Sequence, residues 1–257
     1  MEKKLRIKDV ENIIKDMDVD SAIAYLESLK STCDINLDRL MDKYRRKKAS
    51  LEEEKGRFAH MCKFEKDAYQ KGYRYIAGVD EAGRGPLAGP VVAAAVILPE
   101  DVFIEKLNDS KKLSPKQRDM LYDIIMEKAV AYGIGMVDEK CIDEINILNA
   151  TKKAMSKAIE QLNPKPDLIL TDAVKLEEVN IEQIHIVKGD TLSVSIAAAS
   201  IIAKVTRDRI ITGMDGLYPQ YGFAKHKGYG TKEHIDAIKK YGICPIHRVS
   251  FTKHFTV

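Results

Sequence analysis

The sequence has few of the features that mark secreted, membrane-spanning or zinc-binding proteins. Its four cysteines are widely separated and form no Cys-X-X-Cys pair, so neither a disulfide framework nor a zinc site is indicated. No apolar run reaches the length of about 18 residues that a membrane-spanning helix needs, and the longest run, residues 194–203, contains two serines. The charged first residues lack the apolar core of a secretion signal. We therefore expect a cytoplasmic protein with no membrane partner.

The overall composition is that of an ordinary globular protein with a slight excess of positive charge. Hydrophobic residues make up 45% of the 257 residues, enough for one large domain or for one domain with an appendage. The 42 lysines and arginines outnumber the 39 aspartates and glutamates, which gives a net charge of +3. This balance permits a polyanionic partner but does not require one, so the local distribution of basic residues has to decide the question.

Residues 1–72 are depleted in helix-breaking residues, since they contain no proline and their first glycine is Gly56. Apolar residues recur at helical spacing, which predicts two or three amphipathic helices, the last of them running from Asp34 to Gln70. This last helix carries a basic cluster followed by acidic residues. Such a pattern suits either a solvated helix with internal ion pairs or an auxiliary grip on nucleic acid. The basic cluster consists of Lys43, Arg45, Arg46, Lys47 and Lys48.

Residues 75–98 form the stretch around which the rest of the chain is organised. Two apolar runs flank a glycine-rich turn, which predicts a strand, a tight loop and a second strand. The first run delivers Asp80 and Glu81 into the turn. Adjacent strand residues point to opposite faces, so these carboxylates can converge only where the strand ends or bends. Paired carboxylates suit a divalent cation, although a hairpin with a solvated acidic turn has the same pattern. Backbone freedom at the turn comes from Gly83, Gly85 and Gly89.

The segment Asp80-Glu81-Ala82-Gly83-Arg84-Gly85-Pro86, followed by Gly89-Pro90, resembles the signature of ribonuclease HII. Enzymes of this family cut the RNA of RNA–DNA duplexes. The resemblance covers residues 73–257 and implies an α/β fold, namely a ribonuclease H-like mixed five-stranded sheet flanked by helices. Residues 73–257 would then form the catalytic domain, and residues 1–72 a helical N-terminal extension of a bacterial form of the enzyme.

Two further acidic residues stand where a sheet could bring them to the same site. Asp172 ends a short apolar strand that begins at Asp167, so it is the natural third metal ligand. Asp190 precedes a helix of small residues that is predicted to begin at Thr191, where it could act as the N-cap. The resemblance makes Asp190 the fourth active-site carboxylate, and the two roles are compatible because a helix N-terminus stabilises negative charge.

Other local patterns predict the elements between these acids. Ser114 is expected to cap a helix over residues 115–128, with Pro115 in its first turn. A strand is expected over 130–137. Two more expected elements are a helix over 143–162 and a strand over 184–187.

Basic and aromatic residues near the acids suggest contacts with a phosphate backbone. Lys111 and Lys112 lie in an Asp-Ser-Lys-Lys-Leu loop that also resembles the family, and they could bind phosphate or simply be solvated. Lys204 and Arg207 could likewise contact phosphate or face solvent. Residues 218–231 alternate aromatic, basic and glycine residues, a composition that suits nucleic acid. This last loop contains Lys225, His226, Lys227 and Tyr229.

The resemblance also implies a mechanism and a set of partners. Asp80, Glu81, Asp172 and Asp190 would hold two Mg²⁺ or Mn²⁺ ions for phosphodiester hydrolysis, leaving a 5′-phosphate and a 3′-hydroxyl. Gly83, Arg84 and Gly85 would contact the ribonucleotide 2′-hydroxyl, and Tyr229 would stack on the next deoxyribose, so that a single ribonucleotide in DNA is cut on its 5′ side. The expected partners are RNA–DNA hybrids and DNA duplexes containing ribonucleotides. The chain is expected to be a monomer, its protein partners are not assigned, and the candidate proton shuttles are His226, His234 and His247.

Three alternatives stay open at this point. Ribonuclease HIII shares the acidic site, but its glycine loop differs and it carries a sheet-rich N-terminal platform where residues 1–72 here are expected to be helical. A non-catalytic nucleic-acid-binding module on the same fold would have lost at least one acid, whereas all four are present. A hydrolase of another phosphodiester is the third alternative, and the tyrosine-containing loop argues against it.

Overall fold

A computed structural model describes residues 6–32, 35–172 and 174–255 of the chain. It divides into two compact units, one ending at Arg57 and the other beginning at Phe58. Sequence reasoning placed the division after residue 72, so the difference concerns the residues between 58 and 72. In the part of the chain that the structure describes, no helix is both long and apolar enough to cross a membrane.

The first unit consists of helices. They are α1 (Ile7–Ile14), α2 (Val19–Thr32) and the part of α3 (Asp38–Met61) that precedes Phe58. Their apolar faces pack on one another because apolar residues recur every three or four positions. The buried cluster contains Val10, Ile14, Ala22, Leu26, Leu37, Leu40 and Met41.

The basic cluster of α3 is partly engaged in ion pairs within this unit. Arg45 lies 3.5 Å from Glu27, and Lys48 pairs with Asp20, so two of the five cations face acids of α2. These pairs support the interpretation as a solvated helix with internal ion pairs. The alternative, an auxiliary grip on nucleic acid, stays a prediction.

The single helix predicted over residues 34–70 is wrong. Two helices occupy this region, α3 and α4 (Lys63–Gln70), and Asp34 lies outside the described residues. The break is at Cys62, whose φ and ψ of −79° and 4° are not helical. The break allows α4 to bury Glu65 and Ala68. The sequence did not predict it because charged residues dominate this region and the buried face of α4 is short.

The second unit is built on a mixed five-stranded sheet flanked by helices, as predicted. The strand order is β3-β2-β1-β4-β5, with β1 antiparallel to β2, β2 antiparallel to β3, and β1, β4 and β5 mutually parallel. The strands are β1 (Ile76–Ala82), β2 (Val91–Ile97), β3 (Ala131–Val137), β4 (Leu168–Thr171) and β5 (Glu182–His185). The helices that follow the sheet's first two strands are α5 (Pro115–Lys128), α6 (Glu139–Glu160), α7 (Gly189–Leu192), α8 (Val194–Met214), α9 (Phe223–His226), α10 (Lys232–Tyr241) and α11 (Val249–Thr252).

Small residues allow the central helix α8 to lie directly against the sheet. A Cβ atom on Gly78 of β1 would stand only 2.0 Å from the carbonyl carbon of Ser195, so no side chain fits between strand and helix. Residues 197–199 of α8 are alanines with no solvent exposure, which confirms the expectation that they belong to the core. Close approach of this kind fixes the position of the helix relative to β1.

Several boundaries differ from those predicted. The last strand is β5 at Glu182–His185 rather than residues 184–187, and α6 begins at Glu139, capped by Asp138, rather than at residue 143. Helix α6 is also interrupted at Asn146, whose φ of 65° is not helical. In contrast, α5 begins at Pro115 with Ser114 as its cap, as predicted. Short amphipathic segments leave their ends to local hydrogen bonds that periodicity alone does not reveal.

Glu65 ties α4 to the start of α8 from a fully buried position. Its Oε1 atom accepts hydrogen bonds from Ser193 Oγ at 2.5 Å and from the backbone N–H of Ser195 at 3.0 Å. Its Oε2 atom has no hydrogen-bond partner among the described residues. Burial is the main cause that raises the pKa of this carboxyl above its ordinary value of 4.5.

We predict that Glu65→Gln makes the protein's stability less dependent on pH. Because the folded-state pKa of Glu65 is raised, the folded protein binds its proton more tightly than the unfolded chain, and stability is lost as pH rises through the folded-state pKa. Glutamine retains an acceptor for Ser193 and Ser195 but cannot ionise. Glu65→Ala, the contrasting variant, leaves both donors unsatisfied, which costs about 1–3 kcal/mol per buried group. Urea unfolding between pH 5 and pH 8 measures both effects. Equal pH dependence in wild type and Glu65→Gln would contradict the assignment.

Candidate active site

The parallel pairing of β1 and β4 places two acids side by side. Val79 of β1 lies opposite Thr171 of β4 in the parallel register. The next residue along each strand is an aspartate, Asp80 and Asp172, so both emerge at the same edge of the sheet. This is the strand-end arrangement expected for a shared carboxylate site.

Glu81 joins this pair at the mouth of a cleft of about 260 Å³. Asp80 and Glu81 both line the cleft although they are adjacent on β1, because the strand ends at Ala82 and the chain turns at Gly83, where φ is +97°. Adjacent strand residues point to opposite faces, so the two carboxylates needed a strand end or bend to share one site, and the structure has one. The cleft is lined by Asp80, Glu81, Ala82, Gly83, Arg84, Gly85, Ser110, Lys111, Asp172, Ser200, Lys204 and Tyr229.

Asp190 lies next to this cleft but does not line it. It belongs to the short helix α7 and is buried, with Lys111 Nζ at 3.2 Å from its Oδ2 atom. The neighbouring backbone N–H of Gly189 donates a 3.1 Å hydrogen bond to Asp172 Oδ1, which links α7 to the end of β4. Lys111 bridges the cleft to Asp190, since it also lines the cleft.

The expectation that Asp190 caps one continuous helix is wrong. Ser193 separates α7 from α8 with extended backbone angles of −125° and 129°, and its Oγ atom accepts the hydrogen bond from Ile196 N that caps α8. Asp190 is thereby released from the capping role. The sequence pattern could not separate the two helices because both serine and aspartate are good N-cap residues.

Burial and mutual repulsion disfavour ionisation of these carboxyl groups. Burial first, and then the charges of Glu81 and Asp172, raises the pKa of Asp80 well above its ordinary value. Burial also raises the pKa of Glu81, where nearby Arg84 opposes the shift, and the pKa of Asp190, where Lys111 opposes it. A cation at this site would reverse these shifts by favouring the charged forms.

The side chains present fit a hard divalent cation that keeps part of its water shell. Glu81 Oε2 is buried and has no hydrogen-bond partner among the described residues, so one carboxylate oxygen lacks any compensation for its loss of water. Across residues 6–32, 35–172 and 174–255, no group of three or more histidine, cysteine, aspartate or glutamate side chains is arranged to hold a metal ion by itself. Mg²⁺ takes one or two carboxylates and retains several waters, so oxygen ligands from Asp80, Glu81 and Asp172 suit it without a protein-only cage.

Arg248 holds the loop that leaves β1. Its guanidinium donates hydrogen bonds to three carbonyl oxygens, those of Gly83 at 2.6 Å, Arg84 at 2.9 Å and Gly89 at 2.9 Å. The side chain has no solvent exposure, and burial lowers its pKa to about 9. The loop carrying the Gly-Arg-Gly sequence is therefore fixed through its backbone.

Arg207 performs the same task on the other side of the loop. It donates to the carbonyl oxygens of Pro90 at 3.1 Å, Ala88 at 3.0 Å and Lys227 at 3.0 Å. It is completely buried, so neither phosphate contact nor exposure to solvent, the two alternatives considered from the sequence, describes it. Its carbonyl contacts connect the glycine loop to the loop that carries Tyr229.

The two glycines of the Gly-Arg-Gly sequence have different surroundings. A Cβ atom on Gly83 would stand 2.1 Å from Arg207 Nε, and the residue has a positive φ. A Cβ atom on Gly85 would meet no described atom within 4 Å. Gly83 is thus required by the fold, whereas Gly85 leaves open space beside the cleft. Arg84 lies between them, half exposed, with Nη1 at 3.4 Å from Glu81 Oε1.

Tyr229 lines the same cleft as the acids. Its side chain is partly exposed, with 41% of the residue accessible. The ring lies 5.2 Å from Lys204 Nζ, which also pairs with Asp208 at 2.9 Å. Lys112, in contrast, is exposed and does not line the cleft, so a phosphate contact by this residue stays a prediction.

Sequence reasoning missed two buried serines that line the cleft. Ser110 Oγ and Ser200 Oγ are 2.7 Å apart, and both residues are buried. A hydrogen bond from Ser200 partly offsets the rise in the pKa of Asp80. The available signal was the interruption of the apolar run 194–203 by serine, which has no reason to occur in a core helix unless its hydroxyl has a partner.

Comparison with known proteins identifies the family. A sequence profile described as Ribonuclease HII matches residues 77–254. The chain belongs to the ribonuclease HII family. It is 63% identical to Ribonuclease HII of Acetivibrio thermocellus over 253 residues, 98% of this chain and 99% of that protein. It is 57% identical to Ribonuclease HII of Ruminiclostridium cellulolyticum over 251 residues, 98% of each chain.

A solved structure agrees with this membership. The ribonuclease H2 from Pyrococcus horikoshii OT3 superposes with a TM-score of 0.59 at 29% identity, covering 71% of this chain and 99% of that one. Membership in ribonuclease HII excludes the ribonuclease HIII alternative and makes the protein a metal-dependent nuclease that acts on RNA–DNA hybrids. The active-site interpretation of the acidic cleft rests on this membership together with the geometry of β1 and β4.

We predict a large loss of stability for alanine at Gly83 and almost none for alanine at Gly85. Gly83→Ala forces a Cβ atom against the Arg207 side chain and imposes a positive φ on alanine, so the free energy of unfolding should fall by about 1–3 kcal/mol. Gly85→Ala, the matched control, should change it by less than about 0.5 kcal/mol because the added methyl enters open space. Urea unfolding measures both. Equal losses for the two variants would contradict the distinction.

Proposed function

We propose that this enzyme cuts the RNA strand of RNA–DNA hybrids and also cuts DNA duplexes on the 5′ side of a single embedded ribonucleotide. The products are a 5′-phosphate and a 3′-hydroxyl. One observation carries the proposal: Asp80, Glu81 and Asp172 share a single cleft with Arg84 and Tyr229 in a member of the ribonuclease HII family. The cleft combines oxygen ligands for a cation with groups suited to a sugar and a phosphate.

The chain's own residues prepare this cleft for hydrolysis of a phosphodiester. Two divalent ions, Mg²⁺ or Mn²⁺, would supply Lewis acidity and a hydroxide nucleophile at neutral pH when bound. Asp80, Glu81 and Asp172 would hold them, with Asp190 contributing from beside the cleft. Ser200, whose hydroxyl pairs with that of Ser110, favours the charged form of Asp80 and so partly opposes the rise in its pKa.

The ion pair between Lys111 and Asp190 places a positive charge at the edge of the acidic cleft. The ion pair of 3.2 Å keeps the ammonium group at the edge of the acidic cluster, where a substrate phosphate could compete for it. The pKa of Lys111 is raised by its acidic neighbours against the opposing effect of burial, so the side chain is positively charged at neutral pH. A phosphate that enters the cleft therefore meets a cation already in place.

Recognition of ribose is assigned to the backbone of the glycine loop. The carbonyls of Gly83 and Arg84 are engaged by Arg248, which holds the loop rigid, while Gly85 leaves room for close approach of a sugar. The 2′-hydroxyl is the group that distinguishes RNA from DNA. Tyr229, which lines the same cleft and is partly exposed, would stack on the deoxyribose that follows the ribonucleotide. Together the glycine loop and Tyr229 would read an RNA-to-DNA junction.

We predict that the enzyme cuts a DNA duplex containing one ribonucleotide on its 5′ side, and that Asp80→Asn reduces this cleavage by more than about a thousandfold. Asparagine keeps the shape of the side chain but removes the negative charge that holds the cation. Denaturing electrophoresis of end-labelled duplexes measures the position and rate of the cut. Cleavage only within long RNA tracts would contradict the proposed reading of single ribonucleotides, and full activity of Asp80→Asn would contradict the role of the acid.

We also predict that Tyr229→Ala lowers the junction preference, defined as the ratio of kcat/KM at a lone ribonucleotide to kcat/KM within an all-RNA strand. Loss of one stacking contact to a sugar or base corresponds to about 1–3 kcal/mol, or roughly 5- to 150-fold. Tyr229→Phe keeps the ring and should retain most of the preference. An unchanged junction preference in Tyr229→Ala would contradict the stacking role.

A further inference from the structure

A chain of buried hydrogen bonds ends at the backbone of Tyr229. The backbone N–H of Cys244 donates to His247 Nδ1 at 2.9 Å, and His247 Nε2 lies 3.0 Å from His234 Nε2. His234 Nδ1 lies 2.9 Å from the carbonyl oxygen of Tyr229. Both histidines are almost completely buried, and neither lines the acidic cleft, so the suggestion that they shuttle protons finds no support in their position.

The donor at one end of the chain and the acceptor at the other determine the tautomer of each histidine. A backbone N–H can only donate, so His247 Nδ1 must accept and its proton must be on Nε2. His234 Nε2 must then accept that proton, which puts the His234 proton on Nδ1. His234 Nδ1–H therefore donates to the Tyr229 carbonyl, and the whole chain points in one direction. A proton added to either ring would place two N–H groups against each other at one of the junctions.

The surroundings keep both rings neutral. Burial lowers the pKa of His234 and of His247 to about 4 in each case, and each charged ring would also repel the neighbouring histidines. His226 stacks on His234, with 4.5 Å between ring centroids, and its repulsion opposes a positive charge on either ring. The neutral tautomers therefore persist at physiological pH.

Tyr229 depends on hydrogen bonds from its surroundings to fix its backbone, because a glycine flanks it on each side. It stands between Gly228, whose φ is +82°, and Gly230. Glycines on both sides give this residue more backbone freedom than ordinary neighbours would. Its carbonyl oxygen receives a hydrogen bond from the backbone N–H of Thr231 at 2.8 Å in addition to that from His234. The N–H of Tyr229 donates to the carbonyl oxygen of His226 at 3.0 Å, and His234 is a buried side chain that holds the Tyr229 carbonyl.

We propose that His234 and His247 are positioning residues that fix the backbone of Tyr229 and, through it, the angle at which the ring meets the sugar beyond an RNA-to-DNA junction. The inference rests on the role assigned to Tyr229 under the proposed function. His234 touches the tyrosine directly, and His247 holds His234 in the tautomer that can donate. Neither histidine contacts the substrate.

The test compares two replacements of His234. His234→Phe preserves the ring volume and the stacking on His226 but removes both hydrogen bonds, and we expect it to lower the junction preference about tenfold. His234→Asn places an amide N–H near the position of Nδ1 and should retain most of the preference. His60→Phe, at an exposed histidine of α3, is the matched control and should change nothing.

A double-mutant cycle separates positioning from general damage. If His234 acts through Tyr229, His234→Phe should have no further effect on the junction preference in a Tyr229→Ala background. If His234→Phe changed the junction preference equally in both backgrounds, the inference would be wrong. It would also be wrong if Tyr229→Ala abolished the preference and His234→Phe left it unchanged. Either result would leave the proposed role of Tyr229 standing. An unchanged preference in Tyr229→Ala would overturn the proposed role of Tyr229 and the inference with it.

The tautomers provide a readout that does not depend on activity or on any variant. Nitrogen-15 NMR of histidine-labelled wild-type protein distinguishes protonated from unprotonated ring nitrogens. We expect the proton on Nδ1 in His234 and on Nε2 in His247, with neither ring titrating between pH 8 and pH 5.5. The reverse assignment, or titration of either ring in that range, would contradict the direction of the chain.

Discussion

Two buried guanidinium groups determine the shape of the active-site loop. Arg207 and Arg248 donate to carbonyl oxygens along residues 83–90, and Arg207 also reaches the loop containing Tyr229. Removing a guanidinium from water is costly, and burial lowers the pKa of Arg248 to about 9. The loop's carbonyls supply the compensation, so loop and arginines stabilise each other. The position of every cleft residue between Gly83 and Gly85 follows from this arrangement.

The acids of the cleft are buried negative charges, whereas the two arginines are buried positive charges. Asp80 and Glu81 are buried at the end of β1 with raised pKa values, and the geometry of β4 adds Asp172. A divalent cation would offset the burial and mutual repulsion of these carboxylates, so the site is organised for a ligand rather than for stability. The buried arginines lie behind the backbone and do not neutralise these carboxylates through direct ion pairs. The loop is thereby held rigid while the cleft keeps its negative charge.

The same separation of tasks recurs at Tyr229. One face of the residue is available to a ligand, while its carbonyl is held by His234 from the interior. A recognition residue whose backbone is already held rigid loses less conformational entropy when the ligand binds. His234 and His247, two of the three histidines that sequence reasoning considered as proton carriers, are the residues proposed to give this support. Burial lowers the pKa of both to about 4, which agrees with a structural role because a shuttle needs a pKa near the working pH.

Local patterns and the family resemblance were sufficient for the five-stranded mixed sheet, the strand-loop-strand around Asp80 and Glu81, and the cap of α5, because each depends on residues close together in the chain. Tertiary structure alone decided the break at Cys62, the separation of α7 from α8, and the partners of Arg207, Glu65 and His234. Each of these depends on contacts between residues far apart in sequence. The residues next to an arginine in the chain do not reveal whether its side chain is buried or solvated. Only the packing of the folded chain decides whether its guanidinium contacts water, phosphate or backbone carbonyls.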